Sequence, residues 1–293
     1  MSDKKPTIST IAKITGLSLA TVSRALAGAP SVLAPTRDKV LLVAKQLNYV
    51  RDRAAVRLKT GKTCVVAFLM NRWDANQPAF KDLLLGVSDA LRDTDYHMIV
   101  LPESVDGDRL ETLRYVVDRG LADAMVITHT TPQDTRVRYL MERNFAFCTH
   151  GRTRLLDDGL ARDPFGHAHS FVDFANEQYA QASVEALVAR GRKKLAILLP
   201  REGGTFRMHL LEGFMQACEQ AKVEGVTAAN LDMDGSSEHI YTWATKKAKQ
   251  YDGLVVTRES PLMALMGGLG DAGLVLGREL DVVTKYSTST PMY

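Results

Sequence analysis

Residues 7–63 read TISTIAKITGLSLATVSRALAGAPSVLAPTRDKVLLVAKQLNYVRDRAAVRLKTGKT, and the helix signals in this stretch decide the fold of the N-terminus. Thr7 can cap a helix over Ile8–Thr15, which Gly16 breaks; Ser18 can cap a second over Leu19–Leu26, which Ala27-Gly28 stops. A third begins near Pro35, a good first-turn residue, and runs to Leu47 with Val40, Val43, Ala44 and Leu47 on one stripe. Two short helices joined by a Gly-containing turn form a helix-turn-helix pattern. Ile11, Ala12, Leu17, Val22, Ala25 and Leu26 are its expected core. Leu19, Ala20, Thr21, Ser23 and Arg24 then face outward on the second helix, a set able to touch thymine methyls, phosphates and guanine edges.

Charge divides the chain at the same place. Residues 1–62 hold twelve Lys and Arg against three acids, a net of +9, whereas the rest of the 293 residues holds 25 bases and 31 acids, a net of −6. A basic head on a mildly acidic body points to a polyanion partner for the head; a solvated basic tail would carry the same charge. At 45% hydrophobic and 24% charged, the chain has room for two or three domains and a sizeable core. Its longest apolar stretch, Cys64–Met70, is far short of the roughly 18 residues that cross a bilayer. MSDKKPTIST has no apolar run or cleavage site behind its lysines, so a cytoplasmic protein without a membrane partner is expected. Cys64, Cys148 and Cys218 are odd in number and lack metal-ligand spacing, which fits a reducing compartment and three small core residues.

An ordinary small helical bundle would share the helical periodicity of the head, but the run from Thr7 to Thr63 resembles the start of the LacI family of transcriptional regulators. The matching elements are Ile11-Ala12, Gly16-Leu17-Ser18, Thr21-Val22-Ser23-Arg24, Thr36-Arg37, Val40, Leu47-Asn48-Tyr49 and the Ala55-x-x-Leu58 of the next segment. By this resemblance the second helix enters the major groove of double-stranded DNA, with Leu19, Ala20 and Arg24 as base readers and Thr21 and Ser23 on phosphates. Thr7, Ser18, Asn48, Tyr49, Arg53, Ala55 and Leu58 complete the expected DNA-binding set. The segment Asp52–Lys59 is eight residues long, and isolated helices below about 12 residues are marginal in water, so it should order only against a partner. The resemblance makes it a hinge helix that pairs with its copy over the minor groove, where Leu58 wedges into a base step and Ala55 allows close approach. Arg51-Asp52 stands where the family usually has Pro-Asn.

From Thr63 onward apolar runs alternate with amphipathic segments. Strands are expected at 64–70, 98–101, 124–128, 145–149, 171–173, 195–199, 254–257 and 280–284, with helices at 79–92, 110–119, 177–190, 210–222 and 262–272. Such repetition builds parallel sheets. The irregular piece Arg152–His169 reads as the lobe boundary. The expected organisation is therefore an all-α helix-turn-helix domain over 1–48, a hinge and linker over 49–62, and an α/β core of two doubly wound lobes, 63–153 and 154–293. Ligands of such sheets bind at the carboxyl ends of the strands.

The core also resembles the LacI family, whose core is similar to periplasmic sugar-binding proteins. The matching pieces include Pro78-Ala79-Phe80, Arg119 to Asp123, Gly191 to Ala196 and Glu212-Gly213-Phe214. Phe147 to Thr153 looks like a subgroup that regulates carbohydrate use, which implies a sugar-type effector. A sugar calls for forked donors and acceptors plus an apolar face, and Phe80, His129, Arg152, Asp173, Arg207, Glu259 and Lys285 stand at strand ends where they could supply them. Three departures prevent transfer of an effector's identity: Leu210 replaces the usual Arg, leaving Arg207 or His209 as substitutes; Arg258-Glu259 replaces Asn-Asp; and Thr284-Lys285-Tyr286 replaces Gly-Tyr-Asp. The family chain also continues a few dozen residues past the strand ending near Thr284, so a missing edge strand or a weakened effector response is expected here.

No nucleotide-binding Gly-rich loop, zinc-protease His pair or nucleophile elbow is present, so catalysis, a metal and a cofactor are not expected. His167-x-His169, near His150, lacks further ligands. The sequence thus leads to a homodimeric DNA-binding regulator, most simply a repressor, with a sugar-binding receptor without DNA activity as the competing reading.

Overall fold

The computed structural model describes residues 5–71, 78–103, 107–153, 169–200, 204–259 and 262–285. Two compact units divide the chain, Met1–Thr63 and Cys64–Tyr293.

The first unit comprises α1 (Ile8–Thr15), α2 (Leu19–Leu26), α3 (Ala34–Gln46) and α4 (Arg53–Thr60). Local chemistry sets the ends of the first two. The Thr7 hydroxyl accepts the Thr10 N–H at 3.3 Å and the Thr10 hydroxyl accepts the Thr7 N–H at 3.2 Å, while Gly16 ends α1 at φ 73°, a left-handed conformation that a Cβ disfavours. Ser18 Oγ accepts the Thr21 N–H at 3.1 Å. Ile11, Val22, Ala25, Val32, Val40 and Ala44 form the buried core, with Ala12, Leu17 and Leu26 at its margin. Full burial of a Val or Ile contributes about 1.5–3 kcal/mol, so in so small a core each cap, at ~1 kcal/mol, is a substantial share of what holds the unit together. Two cations also tie it: Lys39 Nζ donates to the Thr15 carbonyl at 2.9 Å, closing the end of α1 onto α3, and Arg37 Nη2 donates to the Ala29 and Val32 carbonyls, each at 3.1 Å.

In the second unit β1 (Val65–Met70), α5 (Pro78–Leu91), β2 (His97–Pro102), α6 (Glu111–Asp118), β3 (Ala124–Ile127), α7 (Thr135–Glu142), β4 (Ala146–His150) and β5 (Phe171–Val172) build a five-stranded sheet ordered β2-β1-β3-β4-β5. Then α8 (Asn176–Ala189), β6 (Lys194–Leu198), α9 (Thr205–Ala221), β7 (Glu224–Thr227), α10 (Ser237–Lys247), β8 (Gly253–Val256), α11 (Leu262–Asp271) and β9 (Asp281–Thr284) build a four-stranded sheet ordered β7-β6-β8-β9. Every pairing is parallel. Alternation along the strands explains why the central ones read as unbroken apolar runs. Ala196, Leu198, Leu254 and Val256 face α10 and α11, whereas Leu195, Ile197 and Val255 face α8 and α9, so both faces are covered. Strand order reverses between β1 and β3 and between β6 and β8, the positions at which such sheets open a crevice at their carboxyl ends.

The structure departs from the sequence expectation in identifiable ways. The change of sheet does not fall at 153/154. β5 pairs with β4 through Thr149 opposite Phe171 and His150 opposite Val172, so the chain leaves the first sheet only after Val172. Three elements were not expected. α7 buries Arg136 together with Val137, Tyr139 and Leu140, so its inner face is partly ionic; β7 is an edge strand, Glu-Gly-Val-Thr; α10 is polar outside its buried Ile240, Trp243 and Ala244. α9 starts five residues before the expected Leu210. Cys218 is buried as expected, but Cys64 and Cys148 are only half-buried. The irregular segment over 154–168, including His167, and the chain beyond Lys285 lie outside the described residues.

Candidate functional site

On the first unit α2 presents its outer face. Leu19 is 56% exposed, Ala20 and Arg24 are exposed, and Thr21 and Ser23 are half-buried. The hydroxyls of Thr7, Ser18 and Thr21 are engaged in the caps, Ser18 Oγ lying 2.9 Å from Thr21 Oγ1, so the helix starts are pinned by the same residues that line the surface. Arg24 Nε leans back on the Ala20 carbonyl at 3.3 Å. Asn48 closes α3 at φ 49°, and Tyr49 packs half-buried against the core, burial raising its phenol pKa. In α4 the Asp52 carboxylate accepts the Ala54 N–H at 2.9 Å and Gly61 ends the helix at φ 73°. These caps favour a helix at both ends of the eight-residue segment. Ala55 is exposed and Leu58 is 94% exposed, a large apolar side chain left facing solvent. The side chain of Arg53 lies outside the described residues.

In the second unit the chain between the sheets gathers an ionic cluster. Arg152, just past β4, donates from Nε to Asp173 Oδ2 at 2.9 Å and from Nη2 to both Glu177 oxygens at 3.0 and 2.7 Å. Its pKa is raised because Asp173 and Glu177 outweigh burial. Asp173 in turn accepts Asn176 Nδ2 at 3.1 Å, and Asn176 Oδ1 accepts Lys285 Nζ at 3.2 Å. His209 Nδ1 lies 3.5 Å from Arg152 Nη2 and 3.9 Å from Asp173 Oδ2; burial and the Arg152 charge lower its pKa. Lys285 Nζ sits 4.7 Å from the Phe206 ring, 4.9 Å from Tyr179 and 5.4 Å from Phe174, three faces that attract a cation.

Burial nevertheless lowers the Lys285 pKa from 10.5 to about 8. The folded value lies below the unfolded one, so holding the ammonium costs stability below pH 8, and that cost is relieved as pH rises from 8 to 10.5. Lys285→Met is therefore expected to raise the melting temperature at pH 7 by a few degrees, at about 2–4 °C per kcal/mol in a protein of this size, with the gain shrinking as pH rises from 8 to 10.5. Calorimetric scans at pH 7 and pH 9.5 check both; an unchanged gain at pH 9.5 would assign it to another group.

Arg152, Asp173 and Lys285 are thus brought together, and of the two substitutes for the missing Arg it is His209 that joins them. Glu177, Asn176, Phe174, Tyr179 and Phe206 were not singled out in the sequence, although their place just after β5 or at the start of α9 could have suggested them. Arg207 lies apart, in a cavity of about 500 Å³ lined also by Leu199, Asn230, Asp232 and His239, with Nη1 on the Pro200 carbonyl at 3.0 Å. Glu259 stands half-buried past β8. Phe80 is only 8% exposed and packs edge-on against Phe68 with ring centres 5.5 Å apart. His129 ends β3 at φ 51°, its carbonyl accepting Arg109 Nη2 at 3.2 Å and Arg136 Nη2 at 3.0 Å. Among the described residues no group of three His, Cys, Asp or Glu could hold a metal ion.

Comparison with known proteins gives two family matches, "Bacterial regulatory proteins, lacI family" over residues 7–52 and "Periplasmic binding proteins and sugar binding domain of LacI family" over 63–251. The transcriptional regulator AglR of Rhizobium meliloti (strain 1021) is 27% identical over 93% of this chain and 75% of its own length. RafR of Escherichia coli is 29% identical over 72% of this chain, which spans only 60% of RafR. Among solved structures, the Lac repressor dimer bound to operator and an anti-inducer superposes with a TM-score of 0.76, covering 98% of this chain and 84% of the repressor chain at 17% identity. The CelR–cellobiose complex superposes with a TM-score of 0.62 over 95% of this chain and 82% of its own at 19% identity.

Proposed function

Because the chain belongs to the lacI family of bacterial regulatory proteins, we propose that it is a repressor that binds a pseudopalindromic operator as a homodimer and is released or recruited by a sugar. The observation that carries this reading is the capped helix-turn-helix whose second helix leaves Leu19, Ala20 and Arg24 exposed above a fixed start at Ser18. Two copies would place two such helices on half-sites about one helical turn apart. Leu58, exposed on α4 with Ala55 beside it, would insert at the centre of the site, where unstacking a base step costs a few kcal/mol and is offset by contacts along the bent duplex. Thr7, Thr21, Ser23, Asn48, Tyr49 and Arg53 would hold the backbone of the DNA and set register.

The effector would bind at the Arg152–Asp173–Lys285 cluster, whose forked guanidinium, paired carboxylates and aromatic faces suit hydroxyls and the apolar face of a pyranose. His129, Arg207 and Glu259 would border it. Relatives whose names mark them as transcriptional regulators support a binding protein rather than an enzyme. No described helix is long and apolar enough to cross a membrane; a regulator of DNA would work in the cytoplasm.

The test is selection of DNA from a random library at about 0.15 M salt, where non-specific phosphate binding is suppressed. An enriched pseudopalindrome is expected, and the Leu58→Ala protein should select the same half-sites while losing the bend in a phasing assay. No motif, with binding that vanishes as salt rises, would overturn the reading.

A further inference from the structure

One contact between the two sheets of the second unit stands apart from the effector cluster. Thr130 follows β3 of the first sheet, and Thr205 opens α9 on the second; the two are 75 residues apart in sequence and only 3% and 1% exposed. The Thr205 N–H donates to the Thr130 carbonyl at 2.9 Å, Thr205 Oγ1 donates to the same carbonyl at 3.1 Å, and the two hydroxyl oxygens lie 2.6 Å apart. With the Thr205 hydroxyl donating to the carbonyl, the Thr130 hydroxyl has one proton for two acceptors, Thr205 Oγ1 at 2.6 Å and the Arg152 carbonyl at 3.4 Å, and the shorter contact takes the larger share.

This pair is rigidly mounted on the first-sheet side. Arg136, fully buried, donates to the carbonyls of Thr128 and His129 at 3.0 Å each, and is itself held by Glu103 at 2.8 Å and Asp134 at 2.7 Å. Arg109 adds a bond to His129 O and one to Glu103 at 3.1 Å. Gly151 lies so close that a Cβ there would meet Thr130 Oγ1 at 2.6 Å. On its far side Thr130 Oγ1 is 3.4 Å from the Arg152 carbonyl, which places it next to the main chain of the residue that anchors the effector cluster.

We propose that the Thr130–Thr205 pair is a latch that sets how far the two halves of the effector unit close, with Glu103, Arg109, Asp134 and Arg136 as its mount. The proposal rests on the reading of this unit as an effector-binding domain, but the hydroxyl contact can be tested without any ligand. Spin labels carried by noncanonical amino acids at the exposed Glu111 and Lys246 report the separation of the sheets in the full-length protein. Thr205→Val removes the hydroxyl at nearly constant volume and is expected to shift the closed-to-open ratio roughly fivefold, the weight of one net hydrogen bond, whereas Thr205→Ser keeps the hydroxyl and should behave as wild type. Thr130→Val against Thr130→Ser repeats the comparison from the other side in case one variant folds poorly. Unchanged distances in both Val variants, or equal widening in Val and Ser, would overturn the latch. Operator affinity, measured in parallel, tests the regulator reading alone: loss of all DNA binding in the wild type would sink that reading and leave the distance result to stand or fall by itself.

Discussion

Arg136→Met is expected to cost about 3–5 kcal/mol of unfolding free energy at pH 7, the usual consequence of removing one partner of a buried ion pair. Arg136 is wholly inaccessible and its partners Glu103 and Asp134 are nearly so, with side-chain exposures of 1% and 0%. Methionine fills much of the volume and leaves two carboxylates facing each other across an apolar gap with Arg109 as remaining counter-ion. Burial alone would raise the Asp134 pKa, but the hydrogen bonds and charge of Arg136, helped by Arg109 and the Thr131 N–H, hold it at about 2. In the wild type this contribution is complete above pH 3.8 and is lost as pH falls through about 2. In the variant the sign reverses, because an unpaired buried carboxylate prefers to be protonated; the deficit should therefore shrink between pH 7 and pH 5. Urea unfolding at both pH values measures it, and a loss under about 1 kcal/mol, below the range for a broken buried pair, would show that the network is solvated in solution.

Gly213→Ala should cost about 1–3 kcal/mol by overpacking and disturb the effector cluster at the same time. Gly213 lies where α9 crosses the first turn of α8, and a Cβ on it would come within 2.7 Å of Glu177 Cα and 2.9 Å of its carbonyl carbon, with the carbonyl oxygen closer still. No rotamer can yield, because the obstacle is backbone. The first turn of α8 would have to shift, carrying away the Glu177 carboxylate that clamps Arg152 and the Asn176 amide that holds Lys285. Gly86→Ala in α5, where none of the described residues lies within 4 Å, is the control: it should be neutral or stabilising by about 0.5–1 kcal/mol through helix propensity. Chemical denaturation of both variants, with sugar-dependent release of operator by the stable fraction, separates the two effects. Equal stability of the two alanines would mean that the helices are not this close.

How much was legible depended on whether the determinant was local. α1 and α2 were readable to the residue because Thr7, Gly16 and Ser18 act within one turn of themselves. The outward face of α2 followed, since a helix buried on Val22 and Ala25 must expose Leu19, Ala20 and Arg24. α7 was not readable: with Arg136, Arg138 and Glu142 in eight residues it looks like a solvated segment, and its arginine becomes a core residue through Glu103, 33 residues away, together with the nearby Asp134 and the Thr128 and His129 carbonyls. The burial of Phe80 was not readable for the same reason, since it comes from edge-on packing against Phe68. The assignment of β5 also escaped, because two residues carry no periodicity and their sheet is chosen by the ladder to Thr149 and His150.

That last assignment has a mechanical meaning. With β5 in the first sheet and α8 packed on the second, Asp173, Phe174 and Ala175 are the span that joins the two, and Asp173 is also the residue gripped by Arg152. Among the described residues the chain passes from one sheet to the other here, so a rotation of one against the other bends the backbone at this fulcrum. A molecule bound there acts on a very short arm, so its grip on Asp173 and the bending of this span are borne by the same residue.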